Sequence, residues 1–74
     1  MSTTNGPLIR RLRTDAGMTT RELAMVARVD GSTISRAERG RYGSTSWLTL
    51  ERIGDHFGVP AWALYLPTQH GSAA

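Results

Sequence analysis

The sequence has no cysteine and no lysine, and it carries only one phenylalanine and three prolines in 74 residues. Without cysteine there is no disulfide framework and no thiolate metal site. Its apolar runs are far too short to span a bilayer, and the polar opening from Met1 to Gly6 is unlike a secretory leader. A soluble, cytoplasmic protein with no membrane partner is expected. Strand-like alternation and internal repeats are missing too. His56 and His70 are too few for a metal cluster, and no glycine-rich phosphate loop follows a strand. His56 beside Asp55 reads as a solvated helix face rather than a catalytic pair. These absences argue against an enzyme and against any cofactor.

What is present is cationic and unevenly placed. All nine strongly basic residues are arginine. A GC-rich genome accounts for that preference, so it carries little functional weight. Their positions carry more. Residues 1–41 hold eight arginines against four acids, whereas residues 42–74 hold Arg52 against Glu51 and Asp55. The positive field therefore sits on the N-terminal half, where a polyanion would dock. A chain of this length forms one domain, close to the size at which a single apolar core just suffices.

Punctuation predicts about five short helices and an all-α fold over residues 7–66, with 1–6 and 67–74 as flexible termini. Pro7 suits a first helical position, and Leu8, Ile9, Leu12 and Ala16 recur at helical spacing up to Gly17. Thr19-Thr20-Arg21-Glu22 is a capping box, flanked by Met18 and Leu23 at the spacing of a hydrophobic staple. Leu23, Val26 and Ala27 form that helix's apolar stripe, and it should end near Arg28. Val29 and Asp30 are a second staple-and-cap pair, with Ile34 as partner. A third helix then runs from Gly31 to Arg39 and stops at Gly40. Only about three residues remain between the second and third helices, so the two must cross steeply, as in a helix-turn-helix. Ser46 caps a fourth helix carrying Trp47, Leu50, Ile53 and Phe57, stopped by Gly58. Pro60 opens a fifth through about Tyr65, and Pro67 ends it.

The third helix has an unusual exposed face. At ~100° per residue, Gly31, Ser32, Ser35, Arg36 and Arg39 share one arc, while Ile34 and Ala37 point away. A solvated surface helix is one reading. Such helices favour Glu, Lys and Gln, however, and glycine and serine lower helix propensity. Small polar residues with two arginines suit the major groove of DNA, whose base edges are read by such donors. The second helix offers phosphate contacts at its N-terminus, through free amides and the side chains of Thr19, Thr20 and Arg21. Arg41, Tyr42 and Ser44 could hold a second phosphate, or form a plain polar loop.

The run Leu12-Arg13, Gly17 to Ala24 and Val29 to Gly40, with Ile34-Ser35-Arg36-Ala37-Glu38-Arg39-Gly40 at its end, resembles the Cro/lambda-repressor (XRE) helix-turn-helix family. Leu50 to Gly54 and Phe57 to Pro60 resemble that family's fourth helix and the turn after it. The resemblance implies a compact five-helix lambda-repressor-like domain and a prokaryotic or phage transcriptional regulator that binds double-stranded DNA. By position it implies base contacts from Gly31, Ser32, Ser35 and Arg36. Phosphate contacts would come from Thr19, Thr20, Arg21, Thr33, Arg39, Arg41, Tyr42 and Ser44. It also implies a partly buried ion pair between Arg13 and Glu38, and a homodimer on DNA. Trp62, Tyr65 and Leu66 are the candidate dimer interface. Three positions depart from the family pattern. Thr20 stands where glutamine is usual, and Gly31 replaces a residue that often reads a base. Arg28 stands where glycine usually makes the turn, and positive φ there costs a non-glycine residue about 1–2 kcal/mol. Two other readings remain: a protein-interaction module such as an antitoxin or anti-repressor with a protein partner, and an architectural DNA-binding protein.

Overall fold

The computed structural model describes residues 2–40 and 46–67. Four α-helices carry the fold: α1 Gly6–Asp15, α2 Thr20–Ala27, α3 Gly31–Glu38 and α4 Trp47–Phe57. A single 3₁₀ turn, Ala61–Leu64, follows α4. Two short strands, β1 Ser2–Thr4 and β2 Tyr65–Pro67, pair antiparallel with Thr3 opposite Leu66.

The helix ends follow from local chemistry. Asn5 starts α1: its side-chain oxygen accepts from the Leu8 amide at 3.4 Å, and Pro7 sits in the first turn. Ser46 starts α4 in the same way, its hydroxyl accepting from the Thr49 amide at 3.2 Å. Left-handed glycines follow three helices, with φ of 71° at Gly17, 70° at Gly40 and 75° at Gly58.

Two expectations need correction. The fifth helix is only the 3₁₀ turn Ala61–Leu64, because the backbone goes extended at Tyr65, with φ −109° and ψ 127°. Strands were not expected at all, and the segment 1–6 was expected to be loose. Instead Ser2–Thr4 pairs with Tyr65–Pro67, Asn5 caps α1, and Gly6 is its first residue. The Asn5 amide also donates to the Leu64 carbonyl at 2.9 Å, tying this segment to the 3₁₀ turn. Residues 68–74 of the expected C-terminal tail lie outside the described residues.

Ile9, Leu23, Ile34, Leu50, Ile53 and Leu64 are the large side chains fully buried at the centre, with Ala24, Ala27 and Ala37 between them. One comes from α1, one from α2, one from α3, two from α4 and one from the 3₁₀ turn. Each such side chain contributes about 1.5–3 kcal/mol of transfer free energy. Alanines on the facing sides of α2 and α3 let those helices approach closely.

The N-terminal segment also meets the end of α3. The Thr4 hydroxyl donates to the Ala37 carbonyl, and Thr4 is buried. A Cβ on Gly6 would collide with the Glu38 carbonyl oxygen, so only glycine lets α1 begin there. Gly6→Ala must push α1 off α3, a loss of about 1–3 kcal/mol for overpacking. At roughly 4–8 °C per kcal/mol for a domain of this size, the melting temperature should fall clearly. An unchanged thermal melt by circular dichroism would show that the two helices do not meet at Gly6.

Candidate nucleic-acid interface

The interface begins with the start of α2. The Thr19 hydroxyl accepts from the Glu22 amide at 3.1 Å, and the Glu22 carboxylate accepts from the Thr19 amide at 2.8 Å. The predicted capping box is complete. It fixes the N-terminus of α2, with Thr20 half-buried and Arg21 exposed beside it.

Arg28 ends α2 in the left-handed conformation, at φ 61° and ψ 43°. It is the only non-glycine residue with positive φ among the described residues. The turn therefore keeps the geometry that the family's glycine would give. The Val29 amide returns to the Ala24 carbonyl at 3.0 Å, and the Arg52 guanidinium donates to the Ala27 carbonyl at 3.2 Å. That second bond joins α4 to the end of α2, and no local pattern announces it.

Asp30 is the N-cap of α3, extended at φ −85° and ψ 163°, but its carboxylate makes no bond to the helix amides. It accepts instead from the Thr33 hydroxyl at 2.6 Å. That bond, outweighing the opposing effect of desolvation, holds the Asp30 carboxyl below the usual carboxylate range. Thr33, expected to face a phosphate, thus has its hydroxyl turned back onto the cap.

The outward face of α3 is as the sequence arranged it. Ile34 and Ala37 are buried, Ser32, Arg36 and Arg39 are exposed, and Gly31, Ser35 and Thr33 are half-buried. Gly31 has an ordinary helical φ, and a Cβ there would meet nothing within 4 Å. The fold itself does not require a glycine at the head of α3. Arg41, Tyr42 and Ser44 lie outside the described residues.

The Arg13–Glu38 pair sets the pose of α3. The Arg13 Nε donates to Glu38 Oε2 at 2.6 Å and Nη2 donates to Oε1 at 3.1 Å, a bidentate fork. Its remaining Nη1 donates to the Met18 carbonyl at 2.8 Å. The side chains are only 14% and 9% exposed, so the pair is shielded from water and salt. The hydrogen bond to Glu38 pushes the Arg13 guanidinium still higher than its ordinary pKa.

A helix-turn-helix domain family matches residues 6–63, most of the chain. The chain belongs to that family. Solved structures agree. The clp gene regulator ClgR from Corynebacterium glutamicum is 34% identical with a TM-score of 0.67, over 78% of this chain and 61% of that one. The biofilm regulator SinR, known from Bacillus subtilis, has a crystal structure in complex with DNA. That structure is 30% identical with a TM-score of 0.66, over 77% of this chain and 90% of SinR's. SinR in the SinR/SinI complex is 29% identical with a TM-score of 0.68, over 78% of this chain but only 56% of that one. The chain thus spans little more than half the length of some of these neighbours. No curated protein matches the sequence.

Among the described residues, the exposed aromatic side chains Trp47, Trp62 and Tyr65 belong to α4, the 3₁₀ turn and β2. Trp62 is 70% exposed and does not cover the core. Tyr65 meets Trp47 edge-on, with ring centroids 5.7 Å apart, and the Trp47 indole N–H donates to Glu51 at 3.2 Å. Leu66 takes its place in β2. Among the described residues, no cluster of three His, Cys, Asp or Glu could hold a metal ion, and no helix is long and apolar enough to cross a membrane.

Breaking the Arg13–Glu38 pair should damage the fold more than any exposed substitution. Glu38→Ala leaves a shielded guanidinium without its carboxylate, at a cost of about 3–5 kcal/mol. That is a large part of the ~5–15 kcal/mol that holds a domain together. Chemical denaturation is the measurement, and a midpoint equal to wild type would remove the pair from its structural role.

Proposed function

We propose that the protein is a DNA-binding transcriptional regulator whose α3 enters the major groove of double-stranded DNA. One observation carries this reading: along α2 and α3 every acid is used internally, while every arginine is left outward. Glu22 closes the capping box, Asp30 holds Thr33 and Glu38 holds Arg13. Arg21, Arg28, Arg36 and Arg39 are exposed and form no side-chain ion pair or hydrogen bond among the described residues. The similarity to SinR, which has been crystallised with DNA, and to the gene regulator ClgR supports the same conclusion.

Within this reading, Arg36 is the principal base reader, bidentate to a guanine, and Ser32 and Ser35 flank it. Gly31 leaves room for the backbone at the head of α3 to come close to the groove. Thr19, Thr20 and Arg21 meet phosphate at the start of α2, where the helix dipole adds its field. Arg39, at the far end of α3, meets phosphate as well.

The exposed Trp62 favours a protein contact in addition. A homodimer on paired half-sites about 34 Å apart, joined through Trp62, Tyr65 and Leu66, is the form proposed for the DNA complex. Footprinting should then protect two half-sites with two protomers per duplex at saturation. Protection of a single half-site by one protomer would remove the dimer.

A gel shift against genomic fragments, with and without non-specific competitor, tests DNA binding itself. Selected fragments then allow the base reader to be examined. Arg36→Ala should cost about 1–3 kcal/mol and relax preference at one base pair. Arg21→Ala should weaken all duplexes alike and lower the salt slope by roughly one unit. An Arg36→Ala protein with its preference intact and only its salt slope changed would make Arg36 a phosphate clamp.

A further inference from the structure

The turn between α2 and α3 holds a backbone anomaly at Arg28. Positive φ is adopted at four described positions, and three of them are glycine; the fourth is Arg28. An L-residue in that conformation is strained. Strain of this kind persists only where something offsets it, and functional sites are where it gathers.

Backbone bonds hold the turn, but among the described residues the Arg28 side chain adds nothing to them. The Arg28 side chain is exposed and makes no hydrogen bond or ion pair among the described residues. The helix end it could serve is already served. The Ala24 and Met25 carbonyls receive the Arg28 backbone amide, and the Ala27 carbonyl receives the Arg52 guanidinium. The hydrophobic bond network around the turn belongs to Val29 and Ile34, which pack inward. An arginine here contributes a long cationic arm and nothing that a glycine would not do better for the backbone.

The position gives the arm an object. Arg28 lies three residues ahead of Gly31, the head of the helix proposed to enter the groove, where no Cβ stands in the way. It lies two helical turns after Arg21, the arginine proposed to meet phosphate at the other end of α2. The acids nearest in sequence, Glu22 and Asp30, are both occupied. We propose that Arg28 is a DNA contact of this protein, its guanidinium binding a backbone phosphate beside the bases that α3 faces. The left-handed backbone is retained with an arginine because the contact offsets the strain. This rests on the DNA-binding reading and extends it to a residue at which the family's usual glycine can make no side-chain contact.

Arg28→Gly separates fold from function, since it relieves strain and removes the arm together. The variant should melt several degrees above wild type. Its binding to a selected duplex and to a random duplex should weaken alike, roughly three- to tenfold at 0.1 M salt, with the salt slope smaller by about one unit. Arg28→Lys should keep most of the binding, because phosphate accepts a point charge. An Arg28→Gly protein that melts higher and binds as wild type overturns the contact. One that melts lower also overturns it, by showing that the arginine stabilises the free protein. Wild-type protein that shifts no duplex takes down the DNA reading and this contact together, and that control is run first.

Discussion

The Arg13 guanidinium ties α1 to α3 and to the loop that leads into α2. From the last turn of α1 it grips both carboxylate oxygens of Glu38 at the end of α3, and its third nitrogen holds the Met18 carbonyl just ahead of α2. Hydrophobic burial is non-directional, and among the described residues six large, fully buried side chains place the helices. A helix rotated slightly on so small a core would lose little area. A bidentate fork has a definite plane and length, so it fixes what burial leaves loose. The Thr4 hydroxyl on the Ala37 carbonyl and the close seat of Gly6 add two more restraints at the same end of α3.

The C-terminal end of α3 is thus bound inward on one side, while Ser32, Arg36 and Arg39 stay exposed along the other. The same bonds set the electrostatics. Glu38 is neutralised by Arg13, whereas Glu22 and Asp30 bond to uncharged groups and keep their charge, outnumbered by the four exposed arginines of the α2–α3 segment. On α4 the exposed acids Glu51 and Asp55 stand near Trp47 in sequence, and Trp47 itself binds Glu51. On α3 the residues that hold the fold and those proposed to meet DNA lie on opposite sides rather than at opposite ends: Ile34, Ala37 and the paired Glu38 face the fold, while Ser32, Arg36 and Arg39 stay exposed.

Much of this was legible in the sequence because the signals are local. The Thr19–Glu22 box, the Ser46 cap and the three glycine stops each act over a few residues, and each is where the pattern put it. The Arg13–Glu38 pair, 25 residues apart, came only from family resemblance. What escaped was non-local or weak in pattern. Three-residue strands are too short to show alternation, and β1 exists because Tyr65–Pro67 lies beside it. Asn5-Gly6-Pro7 did carry a cap signal, an asparagine just ahead of a helical proline. The reading of a loose terminus obscured it. Trp62 could be placed in or out of the core only once the last turn proved to be 3₁₀, with Leu64 alone buried from it.

Titration of the isotope-labelled protein with a selected duplex, followed through its backbone amide resonances, tests the central claim most directly. Contact through the helix-turn-helix should shift the amides of residues 19–21 and 28–39 strongly, and those of Trp62 weakly or only as a dimer forms. Large shifts confined to α4 and the 3₁₀ turn, with α3 unmoved, would contradict it.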